Sequence, residues 1–208
     1  MLRGDGPNRR DRAGDAGGMV KYLAGLLLVF AVFGTCYGEN NLVLYNAGKK
    51  DPAAWNILKE YFSSKNYSTL FLQSDGVIER HLERANRVNA IKSGAFVAVE
   101  FTFGDEKRVL VAVPETTKDG NGGLRGEPDG QLVWPVEELP ARHQAQSRRL
   151  AELIAAPFQV KVKKIPLFPL LGIDMPGVLL AVQCKRDEAR SVLTALDQAL
   201  QKYYRRDR

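Results

Sequence analysis

One stretch restricts the possible folds of this chain more than any other. It is the apolar run MPGVLLAVQC, from Met175 to Cys184, which is opened by Pro176 and followed at once by the charged residues KRDE. An apolar run of this length, without alternating polar residues, is typical of a strand buried on both faces of a sheet. Such strands occur in α/β proteins, whose chemistry usually lies at the carboxyl ends of the strands. The last four residues here, AVQC, nevertheless include no carboxylate and no histidine.

The rest of the chain alternates predicted strands and helices. Strands are predicted at NLVLYN, YSTLFLQ, AFVAVEFTF, KRVLVAV and FQVKVKKIP, and helices at DPAAWNILKEYFSSKN, VIERHLERANRVNAIKSG, ARHQAQSRRLAELIAA and DEARSVLTALDQALQKYYRR. The second helix carries Ile78, Leu82, Ala85 and Val88 on one side. The turn GDE, between the third and fourth strands, indicates a hairpin. The order predicts an α/β fold with a mostly parallel, twisted sheet of about six strands and helices on both faces.

The amino-terminal part resembles a leader. Met19–Gly38 has one cation, Lys21, then an apolar run and then small residues, which is the order of a secretory signal peptide. The run is too short to span a bilayer, which takes about 20 residues. Residues 1–18 are polar, so either they are a disordered extension or translation starts at Met19, which we favour. We expect residues 1–38 to be a leader cleaved after Gly38. Residues 39–208 then form one exported domain, periplasmic or extracellular, without a transmembrane helix.

Charge and cysteine content narrow the functional classes. The 208 residues carry a formal net charge of +6, which favours anionic partners such as acidic wall polymers or lipid head groups. No basic stripe is interleaved with aromatic residues, so nucleic acid is not an expected partner. Cys36 and Cys184 do not make a disulfide scaffold. Cys36 is expected to leave with the leader, and Cys184 is interpreted as a buried small hydrophobe.

Five segments, taken in order, resemble the zinc-dependent N-acetylmuramoyl-L-alanine amidases, hydrolases that cut between muramic acid and the stem peptide of the cell wall. The segments are LKEYFSSKNYSTLFLQSD, RHLERANRVNAIKSGAFVAVEF, SRRLAELI, MPGVLLAVQC and ALDQALQKYY. The second is similar to the family's helix that leads into the strand ending Ser-Ile-His-Ala-Asn. The fourth is similar to its strand Pro-Ala-Val-Leu-Val-Glu. The resemblance spans Asn41 to Tyr204 and implies the amidase (phosphorylase/hydrolase-like) fold.

The resemblance also implies a zinc site whose residues this chain lacks. The family holds zinc with a histidine after the first strand, a glutamate at the first helix and the histidine of Ser-Ile-His, and the glutamate of Pro-Ala-Val-Leu-Val-Glu is the general base. Here the first loop, NAGKKDPAA, contains no histidine, and the helix glutamate falls near Ala47 or Gly48. The third ligand falls on Glu100 and the base on Ala181. The implied protein has no catalytic residue and no zinc.

Few other residues could rebuild a metal site, because a catalytic zinc takes three protein ligands and the chain has two histidines. We interpret His81 as a solvated helix residue and His143 as an ordinary residue at a helix start. Glu100 interrupts an apolar strand and therefore needs a partner. It is paired with a lysine such as Lys49 or Lys50, or binds a ligand, or belongs to an altered metal site.

Two further features have alternative interpretations. Lys161 and Lys163 are predicted to share one face of a strand, with Lys164 beside them. They form a solvated, edge-protecting face, or they bind anionic glycan or stem-peptide carboxylates. The glycine-dense segment between Pro114 and Pro140 is either a flexible cover over a groove or a plain insertion.

The sequence therefore predicts an exported, non-catalytic amidase-like protein that binds peptidoglycan or an envelope protein partner. The alternative is a true amidase with a rearranged metal site. The possible ligand-binding residues are Glu100, Lys161, Lys163 and Lys164.

Overall fold

The computed structural model describes residues 41–48, 51–91, 94–115, 125–126, 132–133 and 135–205. These residues all fall in the unit Glu39–Arg208. The predicted leader, the lysines at positions 49 and 50, and most of the glycine-dense segment lie outside the described residues, so the expectations that concern them stay predictions. In the described part, no helix is long and apolar enough to cross a membrane.

Within the described residues, six strands form the main sheet and four α-helices accompany them. The strands are β1 (Asn41–Asn46), β2 (Ser68–Gln73), β3 (Ala95–Phe103), β4 (Arg108–Pro114), β7 (Lys163–Ile165) and β8 (Gly177–Cys184), and Arg125–Gly126 (β5) pairs separately with Leu132–Val133 (β6). The α-helices are α1 (Pro52–Ser63), α2 (Ile78–Ile91), α3 (Gln144–Ala155) and α4 (Ala189–Arg205). Short 3-10 helices cover Leu139–His143, Ala156–Phe158 and Phe168–Leu170.

The strand order of the main sheet is β2-β1-β3-β8-β4-β7. Only the contact between β4 and β8 is antiparallel, and the other neighbours run parallel. The predicted α/β class with a mostly parallel sheet is therefore confirmed. The most continuously apolar strands, β1, β3 and β8, occupy the middle of the sheet, because a central strand must bury both of its faces.

Helices cover both faces of the sheet. On the first face, side chains such as Leu44, Val97 and Leu180 pack against α1, α3 and α4. On the second face, Tyr45 and Leu179 pack against α2 and the segment 167–175. Among the described helices, the second face thus has one long helix where the first has three, and these helices leave part of the second face uncovered.

Local chemistry explains where α1 begins. The Asp51 carboxylate accepts a hydrogen bond from the Ala54 N–H at 3.1 Å, and Pro52 occupies the first turn. Both are favourable at a helix start, where backbone N–H groups lack helical partners. The second carboxylate oxygen of Asp51 accepts from the Phe103 N–H at 3.2 Å, so the cap also ties α1 to the carboxyl end of β3.

The predicted hairpin between β3 and β4 is wrong, because β8 lies between these strands. Glu100 of β3 and Leu110 of β4 are both register partners of Ala181. The connecting turn crosses the end of β8, where the Gly104 N–H donates to the Cys184 carbonyl at 3.1 Å. A Cβ at Gly104 would overlap the Gln183 side chain. The turn residues indicate a reversal of the chain, but they do not specify which strand fills the space beside it.

His81 is buried, so its interpretation as a solvated helix residue is wrong. Its side chain is 2% exposed. Nδ1 lies 3.0 Å from the Tyr45 hydroxyl and Nε2 lies 2.9 Å from the Leu171 carbonyl. The buried side of α2 is formed by His81, Ala85 and Val88, whereas Ile78, predicted for that side, is 44% exposed. The segment 167–175 caps the histidine, and local sequence pattern does not reveal this contact.

Candidate functional site

An open groove lies on the second face of the sheet, at the carboxyl ends of β3 and β8. Both strands are buried up to Val99 and Leu180, and beyond these points the side chains on this face become half-exposed. The groove has a volume of about 490 Å³. Its lining consists of Ala47, Glu100, Thr102, Arg108, Val109, Leu110, Ala181, Val182 and Gln183. We call it the carboxyl-edge groove.

Strand register arranges the groove in two rows across β3, β8 and β4. The rows are Glu100, Ala181 and Leu110, and then Thr102, Gln183 and Arg108. Glu100 and Ala181, which the family resemblance singles out, are therefore direct neighbours. The second row is wholly polar, and it contains a hydroxyl, an amide and a guanidinium side by side.

Glu100 is half-buried and carries the carboxylate of the first row. The backbone of Gly48 packs closely against it, since a Cβ on Gly48 would lie 3.1 Å from the Glu100 Cβ. The Gly48 N–H donates to the Asn46 side chain at 3.3 Å. No cation among the described residues pairs with Glu100, and Lys49 and Lys50, its predicted partners, lie outside them.

The described part of the groove does not fit a zinc ion. Zinc is held by thiolate, imidazole or carboxylate ligands, with at least three from the protein at a catalytic site. Beside Glu100 lie Ala181, its register partner on β8, and the backbone of Gly48, neither of which offers a metal-binding side chain. Nowhere in the described ranges do three His, Cys, Asp or Glu side chains come together as a metal site would require.

Arg108 supplies positive charge at the open end of the groove. Its side chain is 71% exposed and pairs with the Glu106 carboxylate, with Nε at 3.1 Å. An exposed pair of this kind contributes about 0–1 kcal/mol to stability. The guanidinium can therefore be recruited by a ligand carboxylate at low cost.

Neither histidine lines the carboxyl-edge groove. His81 lies under α2. The His143 Nε2 atom is 3.0 Å from the Asp174 carboxylate, which also accepts from Arg142 at 2.8 Å. Asp174 precedes β8, so this cluster lies at the amino end of that strand, away from Gln183.

The three lysines do not share one surface. The ladder of β7 begins at Lys163, so the prediction that Lys161 and Lys163 share a strand face is wrong. Lys163 pairs in register with Ala112 and points to the second face, whereas Lys164 pairs with Val113 and points to the first. Lys161 and Lys164 line a separate cavity of about 300 Å³ beside α3. β7 also forms an edge of the sheet, as the edge-protecting interpretation requires.

Cys184 is fully buried in the first-face core. Burial raises the pKa of its thiol, so the sulfur stays protonated near neutral pH. This environment suits a small apolar side chain and not a nucleophile.

A second polar cavity, of about 450 Å³, lies at the amino end of β2. Its central carboxylate, Asp197, is 3% exposed. It accepts from the Tyr67 hydroxyl at 2.9 Å and from Gln201 at 3.1 Å, and Lys65 Nζ lies 3.1 Å away. Because its oxygens are occupied by these partners, Asp197 serves as an anchor between α4 and the chain before β2.

The comparisons with known proteins yield a distant structural likeness. No protein-family model matches the chain, and no curated protein matches it. Among solved structures it is similar to the apo form of the N-acetylmuramyl-L-alanine amidase Ami1 from Mycobacterium abscessus. The TM-score is 0.46 and the sequence identity is 14%, over 80% of this chain and 99% of that one. A likeness this distant assigns neither family nor activity, so the groove is interpreted from its own residues.

Sequence reasoning missed the polar row of Thr102, Gln183 and Arg108. Alternation along β3 and β8 places Thr102 two residues after Glu100 and Gln183 two residues after Ala181, which is a usable signal. No local pattern could bring Arg108 beside Gln183, because the turn before β4 favours pairing with β3.

Proposed function

We propose that this protein is an exported, non-catalytic relative of the cell-wall amidases, and that it binds peptidoglycan through the carboxyl-edge groove. One observation carries the proposal. The two positions where the family resemblance expects a metal ligand and a general base, Glu100 and Ala181, are register partners that both line the carboxyl-edge groove. In this proposal β8 corresponds to the family's catalytic strand, with alanine in place of the carboxylate residue.

The alanine at position 181 argues against hydrolysis. A positioned general base commonly contributes about 10²–10⁴ in rate. Among the described residues that line the groove, Glu100 is the sole carboxylate. It cannot be both a metal ligand and the base that activates water.

The composition of the groove suits a peptide that carries amides and carboxylates. Glu100 accepts hydrogen bonds from amide N–H groups, Gln183 both donates and accepts, and Arg108 can form paired hydrogen bonds with a carboxylate. Stem peptides of the cell wall offer these groups. Lys163 points to the same face from β7 and would add positive charge near the sheet edge.

Sedimentation with purified peptidoglycan tests the proposal. Arg108→Ala should weaken binding about two- to five-fold at low salt, the range for one exposed charge contact. Arg87→Ala is the matched control, since Arg87 is 75% exposed, pairs with an exposed glutamate and lies on α2 outside the groove lining. Equal binding by both variants, or no binding by the parent chain, would contradict the proposed use of the groove. The latter result would favour an envelope protein as partner.

The alternative is a hydrolase with a rearranged metal site, and the carboxylate of Glu100 at the carboxyl edge is the observation that favours it. Elemental analysis after mild dialysis separates the two functions. We expect no stoichiometric zinc. One tightly held zinc per chain that is lost in Glu100→Gln, together with release of stem peptide from peptidoglycan, would establish the hydrolase.

A further inference from the structure

The two edges of the main sheet differ sharply in how they are protected. The β7 edge has three residues, two of them lysines, and Pro166 follows it. Short length, lysine and proline are the usual devices that prevent a sheet edge from pairing with another chain. The β2 edge, STLFLQ, is six residues long and has no charge and no proline. It lacks all three devices.

Apolar side chains remain partly uncovered along β2. Leu70, Phe71 and Leu72 are half-buried, whereas the neighbouring strand β1 is almost fully buried. Trp55 covers one side of Phe71, with ring centroids 6.2 Å apart. Apolar area on both faces of β2 is therefore available for burial by a further strand.

The backbone of β2 presents a regular set of groups to its open side. The Ser74 N–H donates to the Asn46 carbonyl at 2.9 Å, so Ser74 points toward β1. Successive residues of a strand direct their N–H and C=O groups to alternate sides. The backbone N–H and C=O groups of Leu70 and Leu72 therefore point toward β1. Those of Thr69, Phe71 and Gln73 point away from it, to the open side of the sheet.

We infer that β2 pairs with the β2 strand of a second copy of this chain, antiparallel and centred on Phe71, so that the two sheets become one. In this register Phe71 faces Phe71 of the other copy, and Thr69 faces its Gln73. All the outward N–H and C=O groups of the three residues then find partners. Phe71 would form an aromatic cross-strand pair, a favourable combination in antiparallel sheets.

Charge favours a second copy over a different partner. Antiparallel self-pairing places equivalent residues near each other around the centre, so a charged strand would be repelled by its own copy. β2 has no charge, whereas two copies of β7 would bring lysines together. The nearest charges along the chain are Lys65 before the strand and Asp75 after it. Antiparallel pairing puts Lys65 of one copy at the same end as Asp75 of the other.

Cross-linking by introduced cysteines tests both the pairing and its register. Phe71→Cys should form a disulfide-linked dimer under mild oxidation, because directly opposed residues that share hydrogen bonds lie about 5.5 Å apart at Cα, within disulfide range. Ser68→Cys is the control. Its two copies would be separated by six residues, or about 20 Å, and should stay unlinked. The native Cys184 is buried. Oxidation of the parent chain measures any disulfide-linked dimer that forms without an introduced cysteine.

Phe71→Cys loses the contact with Trp55 and could misfold, so a second pair of cysteine variants tests the same register. Thr69→Cys mixed with Gln73→Cys should link to each other more than either links to itself. All variants are expressed from the full chain, and the protein is purified in the form that remains after processing by the host. Sedimentation equilibrium of the parent should show a dimer that dissociates on dilution. A parent that stays monomeric at about 100 µM, or a Ser68→Cys variant that links as readily as Phe71→Cys, overturns the inference.

Discussion

Replacing His81 with alanine should destabilise the fold by about 2–4 kcal/mol, and the structure supplies the reasons. The Leu171 carbonyl can only accept, so Nε2 of His81 carries the proton and the Tyr45 hydroxyl donates to Nδ1. Tyr45 is 1% exposed, and a buried hydroxyl that loses its acceptor costs about 1–3 kcal/mol. The Leu171 carbonyl is nearer the surface, so leaving it without a donor costs less free energy. Lost packing against the Phe168 ring, 4.9 Å from the imidazole, adds to the loss.

Urea unfolding at pH 8, followed by tryptophan fluorescence, measures this effect. The midpoint should fall while the slope m stays constant, which identifies a change in stability. Asn86→Ala, at an exposed position of the same helix, should stay within about 0.5 kcal/mol. In a Tyr45→Phe background the cost of His81→Ala should drop by about 1 kcal/mol, because no hydroxyl loses its acceptor. If His81→Ala behaves like Asn86→Ala, the histidine is solvated and the packing of the segment 167–175 described above is incorrect.

Four further outcomes are expected. Burial lowers the pKa of His81, so the unfolded chain takes up a proton before the folded one. Stability should therefore fall as pH drops below about 6.5 and level off below the folded pKa, and His81→Gln should remove this component from pH-dependent urea unfolding. Asp51→Ala loses acceptors for α1 and β3 and should cost about 1–3 kcal/mol in the same assay, more than Asp51→Asn. Lys163→Ala with Lys164→Ala should weaken peptidoglycan sedimentation at low salt only, since the Debye length is about 8 Å at physiological ionic strength. An unchanged pull-down would mark these lysines as a solvated edge. Intact mass of the exported protein should give an amino terminus near Glu39, and a retained leader would contradict the predicted cleavage.

Most elements of the fold could be predicted because their signals are local. Asp51 and Pro52 mark the start of α1, and the apolar run before Cys184 predicts a central strand. These features depend on backbone and side-chain chemistry within a few residues. Lys161 shows the limit, since alternation of lysine and valine predicts a strand there, whereas the ladder begins only at Lys163. A strand needs a neighbouring strand for its backbone hydrogen bonds, and β4 pairs with three residues of this segment.

Local composition is enough to identify the residues at the carboxyl ends of the central strands, including Glu100 and Ala181, because strand length and polarity follow from it. Which of these residues meet depends on strand order and on long-range packing. In the fold β8 lies between β3 and β4, so that Arg108 lies beside Gln183, and the segment 167–175 packs over His81. Local pattern does not specify these contacts, because strand order is set by burial. The strand with the longest apolar run gains most from neighbours on both sides, and this gain outweighs the preference of a short turn for a hairpin.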